Sequence, residues 1–236
     1  MCTVTFIKHN EQIIITSNRD ENIARPIATS PINVIENGIQ LTFPKDPISQ
    51  GSWFIVNQFN HVFVLLNGAK DKHKSLPPYR LSRGIILKKI AASINFDSIW
   101  DVLDLTNIEP FTIVAYVSNN LFQLRWDGLV KEKKILNINE ATIWSSATLY
   151  DLDVQNKRKE WFNSFLQQNQ KINSDLILDF HTKTQISDSE NGLLINRLNK
   201  MVTKNVTQCI IENNSFVLTH LDLIENKKYT LDKFSV

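Results

Sequence analysis

The chain of 236 residues has only two cysteines, Cys2 and Cys209. They show no metal-ligand spacing and offer no framework of paired bridges, which excludes a zinc module and a disulfide scaffold and points to a reduced, cytoplasmic compartment. Glycine and proline are also scarce, at 6 and 7 residues, and no linker rich in Gly, Ser or Pro and no internal repeat is present. One compact domain over residues 1–236 with short connections is expected. No apolar run approaches the roughly 18 residues that a membrane helix needs, so no integral membrane segment is expected. Lys8, Glu11, Arg19 and Asp20 interrupt every apolar stretch that a signal peptide would require. The net charge of +2 is small and evenly spread, which argues against nucleic acid or an anionic membrane as partner. The short basic stretch of Lys131 and Lys133-Lys134 reads as a solvated edge guarding a strand. Neither a metal site nor an organic cofactor is expected, and the oligomeric state is not legible.

What is present is an ordinary globular balance, 42% hydrophobic and 21% charged, on a chain long enough to bury a substantial core. Residues 3–7 and 13–17 are β-branched and apolar around the polar turn His9-Asn10-Glu11, which predicts a hairpin. Residues 53–57 and 62–67 predict a second. Residues 26–49 hold four prolines and read as a long loop with one short hairpin at Asn37-Gly38. Helices are expected over 81–94 and 97–105, the second capped by Asp97. Strands follow over 111–117, 121–126 and 129–136, with Asp127-Gly128 as a hairpin turn. A helix over 153–168 buries Trp161, Phe162 and Phe165, a shorter one covers 174–180, and strands over 207–212 and 215–223 close the chain. Strands and helices are segregated, the pattern of an α+β fold with helices packed on antiparallel sheets.

Cys2 follows the initiator methionine directly. Removal of Met1 leaves a residue that carries a thiol nucleophile and a free α-amine, whose reference pKa of about 7.7–8.0 suits a general base. The run 13–17 ends in Asn18-Arg19-Asp20-Glu21. A two-residue turn at Asn10-Glu11 pairs Val4 with Ser17, Phe6 with Ile15 and Cys2 with Arg19. A turn one residue longer brings Asn18 opposite Cys2 instead. Directly paired residues share a face, with Cβ atoms about 4.5–5.5 Å apart. A guanidinium beside the sulfur favours the thiolate. Asp20 is placed to orient the arginine or to bond the terminal ammonium, and the Asn18 amide to hold a carbonyl substrate.

The segments Met1-Cys2-Thr3-Val4-Thr5-Phe6 and Thr16-Ser17-Asn18-Arg19-Asp20-Glu21 resemble the NRDE family, also called the transport and Golgi organisation family. The resemblance runs on through Phe43-Pro44-Lys45-Asp46, Gly51-Ser52-Trp53, Leu65-Leu66-Asn67-Gly68 and Pro77-Pro78-Tyr79-Arg80-Leu81-Ser82-Arg83-Gly84. It includes Ile108-Glu109-Pro110-Phe111-Thr112, Trp126-Asp127-Gly128 and the stretch from Trp144-Ser145-Ser146 to Tyr150, and so covers nearly the whole chain. That family is similar to the N-terminal nucleophile (Ntn) hydrolases, especially the cysteine branch with the bile-salt and penicillin amidases.

The resemblance implies a four-layer αββα sandwich of antiparallel sheets. It gives Cys2, Arg19 and Asp20 catalytic roles and makes Asn67 the oxyanion donor. Asn18, Trp53, Ser145 and Ser146 are the candidate substrate-binding residues. Two departures stand out. Arg19 and Asp20 are adjacent, and so point to opposite faces of a regular strand unless a bulge intervenes. Where the amidases place a second asparagine, this chain has Trp144-Ser145-Ser146. His181 reads as a packed or capping residue. The leading expectation is a cysteine-dependent hydrolase or acyltransferase acting on a linear amide or related acyl bond of a small-molecule substrate. The alternative is a non-catalytic shell for haem or lipid-like, hydrophobic cargo.

Overall fold

A computed structural model describes residues 3–232. Its first element is the expected hairpin, β1 (Thr3–His9) turning at Asn10-Glu11 into β2 (Gln12–Asn22). His9 pairs with Gln12, Phe6 with Ile15 and Val4 with Ser17, the register of a two-residue turn. Asn10 takes a φ of 54°, a left-handed conformation that asparagine tolerates better than most residues. The alternative register is excluded, because Asn18 pairs with Thr3. Cys2, the expected partner of Arg19, lies outside the described residues.

The chain continues as β3 (Pro31–Glu36), β4 (Ile39–Pro44), β5 (Phe54–Asn57), β6 (Val62–Asn67), α1 (Arg83–Ala91) and α2 (Phe96–Val102). Then come β7 (Phe111–Val117), β8 (Asn120–Trp126), β9 (Lys131–Leu136), β10 (Thr142–Ser145), α3 (Leu152–Gln168) and α4 (Ser174–Lys183). The last strands are β11 (Asn196–Arg197), β12 (Met201–Glu212), β13 (Ser215–Asp222) and β14 (Lys227–Asp232). Two compact units result: Ala28–Ile138 forms one, and the rest of the described chain the other.

In the unit that holds both chain ends, the strand order is β10-β1-β2-β12-β13-β14, with β11 beside β12, and every pairing is antiparallel. Helices α3 and α4 cover one face. There Ile7, Ile14 and Ile143 of the sheet meet Phe162, Ile177, Phe180 and Leu193. Full burial of each such side chain contributes about 1.5–3 kcal/mol. The opposite face carries Val4, Phe6 and Ile15, which are buried as well.

The second unit is a meander in chain order from β3 to β9. Helix α1 packs on β5 and β6. Phe96 and Trp100 of α2 lie against Phe122 and Phe111, with ring centroids 4.9 and 6.2 Å apart.

Several boundaries differ from the sequence reading for local reasons. Asn95, not Asp97, caps α2 by accepting from the Ser98 N–H, and Asp97 sits in the first turn, where a carboxylate suits the helix dipole. Ser82 caps α1, so that helix begins at Arg83. The strands β10 and β14 were not anticipated. Each is an outer strand of its sheet, and β14 is mostly exposed, so neither shows a full apolar alternation. Among the described residues no helix is long and apolar enough to cross a membrane.

Gly51 lies just before β5, where the chain meets the first turn of α1. A Cβ at Gly51 would sit 2.5 Å from the Gly84 carbonyl carbon. Gly51→Ala is expected to destabilise the fold by about 2 kcal/mol, because backbone must move to admit the methyl. Urea unfolding followed by circular dichroism measures this, and an unchanged midpoint would contradict so close a backbone approach.

Candidate functional site

The polar end of β2 follows strict alternation. Asn18 and Asp20 join Thr3 and Thr5 on the face toward α3 and α4, and Ser17 and Arg19 join Val4 and Phe6 on the other. All four of these β2 residues are buried. Two different polar clusters are built from adjacent residues of one strand.

The helix-side cluster is closed. Asn18 donates through its amide to the carbonyls of His181 (3.0 Å) and Leu193 (2.7 Å). His181 Nδ1 donates to Asn18 Oδ1, and the Thr5 hydroxyl donates to His181 Nε2 at 2.7 Å. That arrangement is the neutral imidazole with its proton on Nδ1. Burial, then the nearby Arg158 charge, lowers the pKa of His181 to about 3. His181 is thus a packed, hydrogen-bonded residue, as the sequence reading had it.

Asp20 accepts from the Tyr150 hydroxyl at 2.7 Å and from the Thr203 hydroxyl. The Arg158 guanidinium stacks on the Tyr150 ring, 3.6 Å from its centroid. It also donates to Thr3 Oγ1 and to the carbonyls of Asn191 and Gly192. A fully buried cation is retained here because carbonyl oxygens, a hydroxyl and a π-face replace its hydration.

On the opposite face a row runs across three strands. Arg19 pairs with Asn205 of β12, which pairs with Asp222 of β13, and all three are buried. The register of β12 slips between Thr203 and Asn205, which leaves Lys204 as the extra residue of a bulge opposite Arg19 and Asp20. A bulge therefore exists, but on the neighbouring strand, and Arg19 and Asp20 still point to opposite faces. Lys204 donates to the carbonyls of Ile23 (3.0 Å) and Arg25. Its pKa is lowered by burial and then by Arg19. The carboxylate of Glu21 lies 3.5 Å from Arg19, and Asn205 brings a neutral amide, whose buried Oδ1 has no hydrogen-bond partner among the described residues. His220, bonded to the Thr207 hydroxyl at 2.8 Å, has its pKa lowered to about 4 by burial and then by Arg19.

Ser145 pairs with Thr3 at the end of β10, and Ser146 follows it, buried, with its hydroxyl 3.0 Å from that of Thr148. In the second unit, Asn67 ends β6 opposite Phe111, and Trp53 is buried just before β5, its carbonyl accepting from Leu65. Arg19, Asp20, Asn18, Ser145 and Ser146 thus gather at one end of the β10-β1-β2 ribbon, whereas Asn67 and Trp53 belong to the other unit.

Sequence reasoning missed Tyr150, Arg158, Lys204 and Asn205. Arg158 had a usable signal, since it lies four and seven residues before Phe162 and Phe165 on the buried side of α3. Nothing in the sequence announces the bulge. Cys209 is fully buried, and burial pushes its thiol pKa up. Among the described residues no group of three or more His, Cys, Asp or Glu is placed to hold a metal ion.

The chain matches the Transport and Golgi organisation 2 family over residues 1–229 and belongs to it. Among curated proteins none matches it in sequence. A mutant conjugated bile acid hydrolase from Clostridium perfringens is similar in structure, with a TM-score of 0.58 and 9% identity, covering 99% of this chain and 92% of that one. A Caenorhabditis elegans N-acylethanolamine-hydrolyzing acid amidase ortholog has a TM-score of 0.54 at 13% identity over 88% of this chain and 92% of its own. Both have the Ntn-hydrolase sandwich fold, and the likeness shows the fold alone: α+β, with two antiparallel sheets and four helices among the described residues.

The two buried histidines make stability depend on pH. Their folded pKa values, about 3 and about 4, lie below the ordinary histidine value of 6.5, so the unfolded chain binds more protons in acid. Stability is expected to fall as pH drops from about 6.5 toward 4, by up to about 1.4 kcal/mol per pH unit for each histidine. Urea unfolding across that range should show a shallower dependence in His181→Gln than in the parent chain. Parallel slopes would contradict a neutral, buried His181.

Proposed function

We propose that this protein is a cysteine-dependent hydrolase or acyltransferase of a linear amide or related acyl bond, with Cys2 as nucleophile once Met1 is removed. The α-amine takes the thiol proton, and the thiolate attacks the acyl carbon. The tetrahedral intermediate collapses to a thioester as the C–N bond breaks, and the amine leaves with that proton. Water, or an acceptor amine, then attacks the thioester, which regenerates the thiol and releases the acid or a new amide. Arg19 favours the thiolate, and Asp20 holds the end of β2 through Tyr150 and Thr203. Ser146 takes the place of an oxyanion amide, with Ser145 beside it, whereas the Asn18 amide, filled by the His181 and Leu193 carbonyls, holds the ribbon end and not the substrate.

The observation that carries this reading is the pairing of Thr3 with both Asn18 and Ser145. Arg19 follows Asn18 on β2, and Ser146 follows Ser145 at the end of β10, each one residue beyond a partner of Thr3. Family membership supports it, as do two proteins of the same fold named for hydrolysis of conjugated bile acids and of N-acylethanolamines.

Intact mass should show a chain without Met1. Across a panel of N-acyl amides, Cys2→Ser should lower turnover by at least about a hundredfold and Cys2→Ala should abolish it. Iodoacetamide at pH 6.5 should modify Cys2 and spare Cys209, and Arg19→Leu should slow that reaction by about tenfold, the effect of one pKa unit. Retained Met1, or unchanged turnover in Cys2→Ala, would overturn the reading.

A further inference from the structure

The second unit holds a cavity of about 450 Å³, within the range that admits small metabolites. It begins two residues after Asn67, at Ala69. The polypeptide is fixed there: Gly68 donates its N–H to the Pro110 carbonyl at 3.0 Å, and the Thr112 hydroxyl reaches the Gly68 carbonyl at 3.0 Å. Arg125 pairs across the sheet with Thr112 on one side and Glu132 on the other, so the three share a face of β7, β8 and β9.

Most charges around the cavity are already engaged. Glu132 is held by Lys70 at 2.9 Å, and Asp127 accepts from the Leu129 and Val130 N–H groups at 2.8 and 2.7 Å. Asp71 and Lys72 are both exposed and offset one another in charge. Arg125 differs. Its Nε is buried and has no hydrogen-bond partner among the described residues. Burial works against its charge, and Glu132, which opposes that effect, is shared with Lys70. His73 lines the same cavity: Nε2 meets Glu109 at 3.3 Å, and Nδ1 is buried without a partner among the described residues. Apolar surface completes the lining, from Pro110 and from Leu129 and Val130, which are 88% and 62% exposed.

We propose that this cavity binds a small carboxylate with an apolar body, the carboxylate on Arg125 and the body on Pro110, Leu129 and Val130. A guanidinium whose fork is not already filled matches the two oxygens of a carboxylate. Exposed leucine and valine beside it give an acyl chain a surface to cover. The site needs no turnover and does not depend on Cys2 acting as nucleophile.

Octanoate and octanamide, which differ only in the charged head, are the probes for isothermal titration calorimetry with the full-length chain. Octanoate is expected to bind with a Kd of about 1 mM or tighter, and octanamide at least about tenfold more weakly. Arg125→Met should weaken octanoate by about tenfold or more, with Arg125→Lys in between. Leu129→Asp, at an exposed turn where folding is not at risk, should weaken it by a comparable factor. Equal binding of the two probes, or octanoate binding that survives both Arg125→Met and Leu129→Asp, overturns the proposal. Inorganic phosphate displacing octanoate at equal concentration also overturns it, by reassigning the cavity to phosphate. The same titrations on Cys2→Ala should be unchanged, which separates this site from the fate of the catalytic reading.

Discussion

The β1–β2 register is the constraint on which the rest depends. One tight turn, with Asn10 in the left-handed region, decides which residues of β2 face the helices and which face away. Because side chains alternate along a strand, a slip of one residue would exchange Asn18 and Asp20 with Arg19 and dismantle both polar clusters. The apolar residues hold the register in place. Ile7 and Ile14 must reach the α3–α4 core, while Val4, Phe6 and Ile15 must be buried on the other side. Chemistry at the strand end is positioned by hydrophobic burial further along the same strands.

The two faces handle polarity differently. On the helix side every polar atom of Asn18 and His181 is matched, and Asp20 and Arg158 are joined through Tyr150. Removing one member would strand a buried charge or amide, which costs more than the bond itself contributes. That network rigidifies the ribbon end and leaves it little chemical freedom. The Arg19 face is electrostatically richer, with Lys204, Glu21, Asn205, His220 and Asp222 around one guanidinium. A bulge at Lys204 admits a second cation near Arg19 because backbone carbonyls of the segment after β2 receive its ammonium.

The second unit follows the same logic on a smaller scale. Its strands are held by a core of Phe54, Phe63, Phe111 and Trp100, and its polar residues collect where strands end. Asn67 closes β6, and Gly68, with a φ of 81°, turns the chain toward the cavity wall. Residues just after a strand escape the demand for alternating burial, so they are free to carry function.

Most strands and the first hairpin were legible in the sequence, because β-branched alternation and Asn-rich turns are local signals, whereas of the two registers left open the structure selects the two-residue turn. So was the buried face of α3, read from Trp161, Phe162 and Phe165. Family membership was carried by motifs spread along most of the chain. The outer strands β10 and β14 were not legible, since a strand paired on one side only needs no full apolar pattern. The Arg158–Tyr150–Asp20 link, the bulge at Lys204 and the Arg19–Asn205–Asp222 row join residues far apart in the chain, as does the Thr203–Asp20 bond, which spans 183 positions. Which polar groups meet at such separations follows from the pairing of distant strands and the docking of helices, and no local spacing encodes either. The sequence by itself determined the inner strands and the helices and put neighbouring residues of β2 on alternate faces; tertiary packing alone decided which face each took and what it would touch.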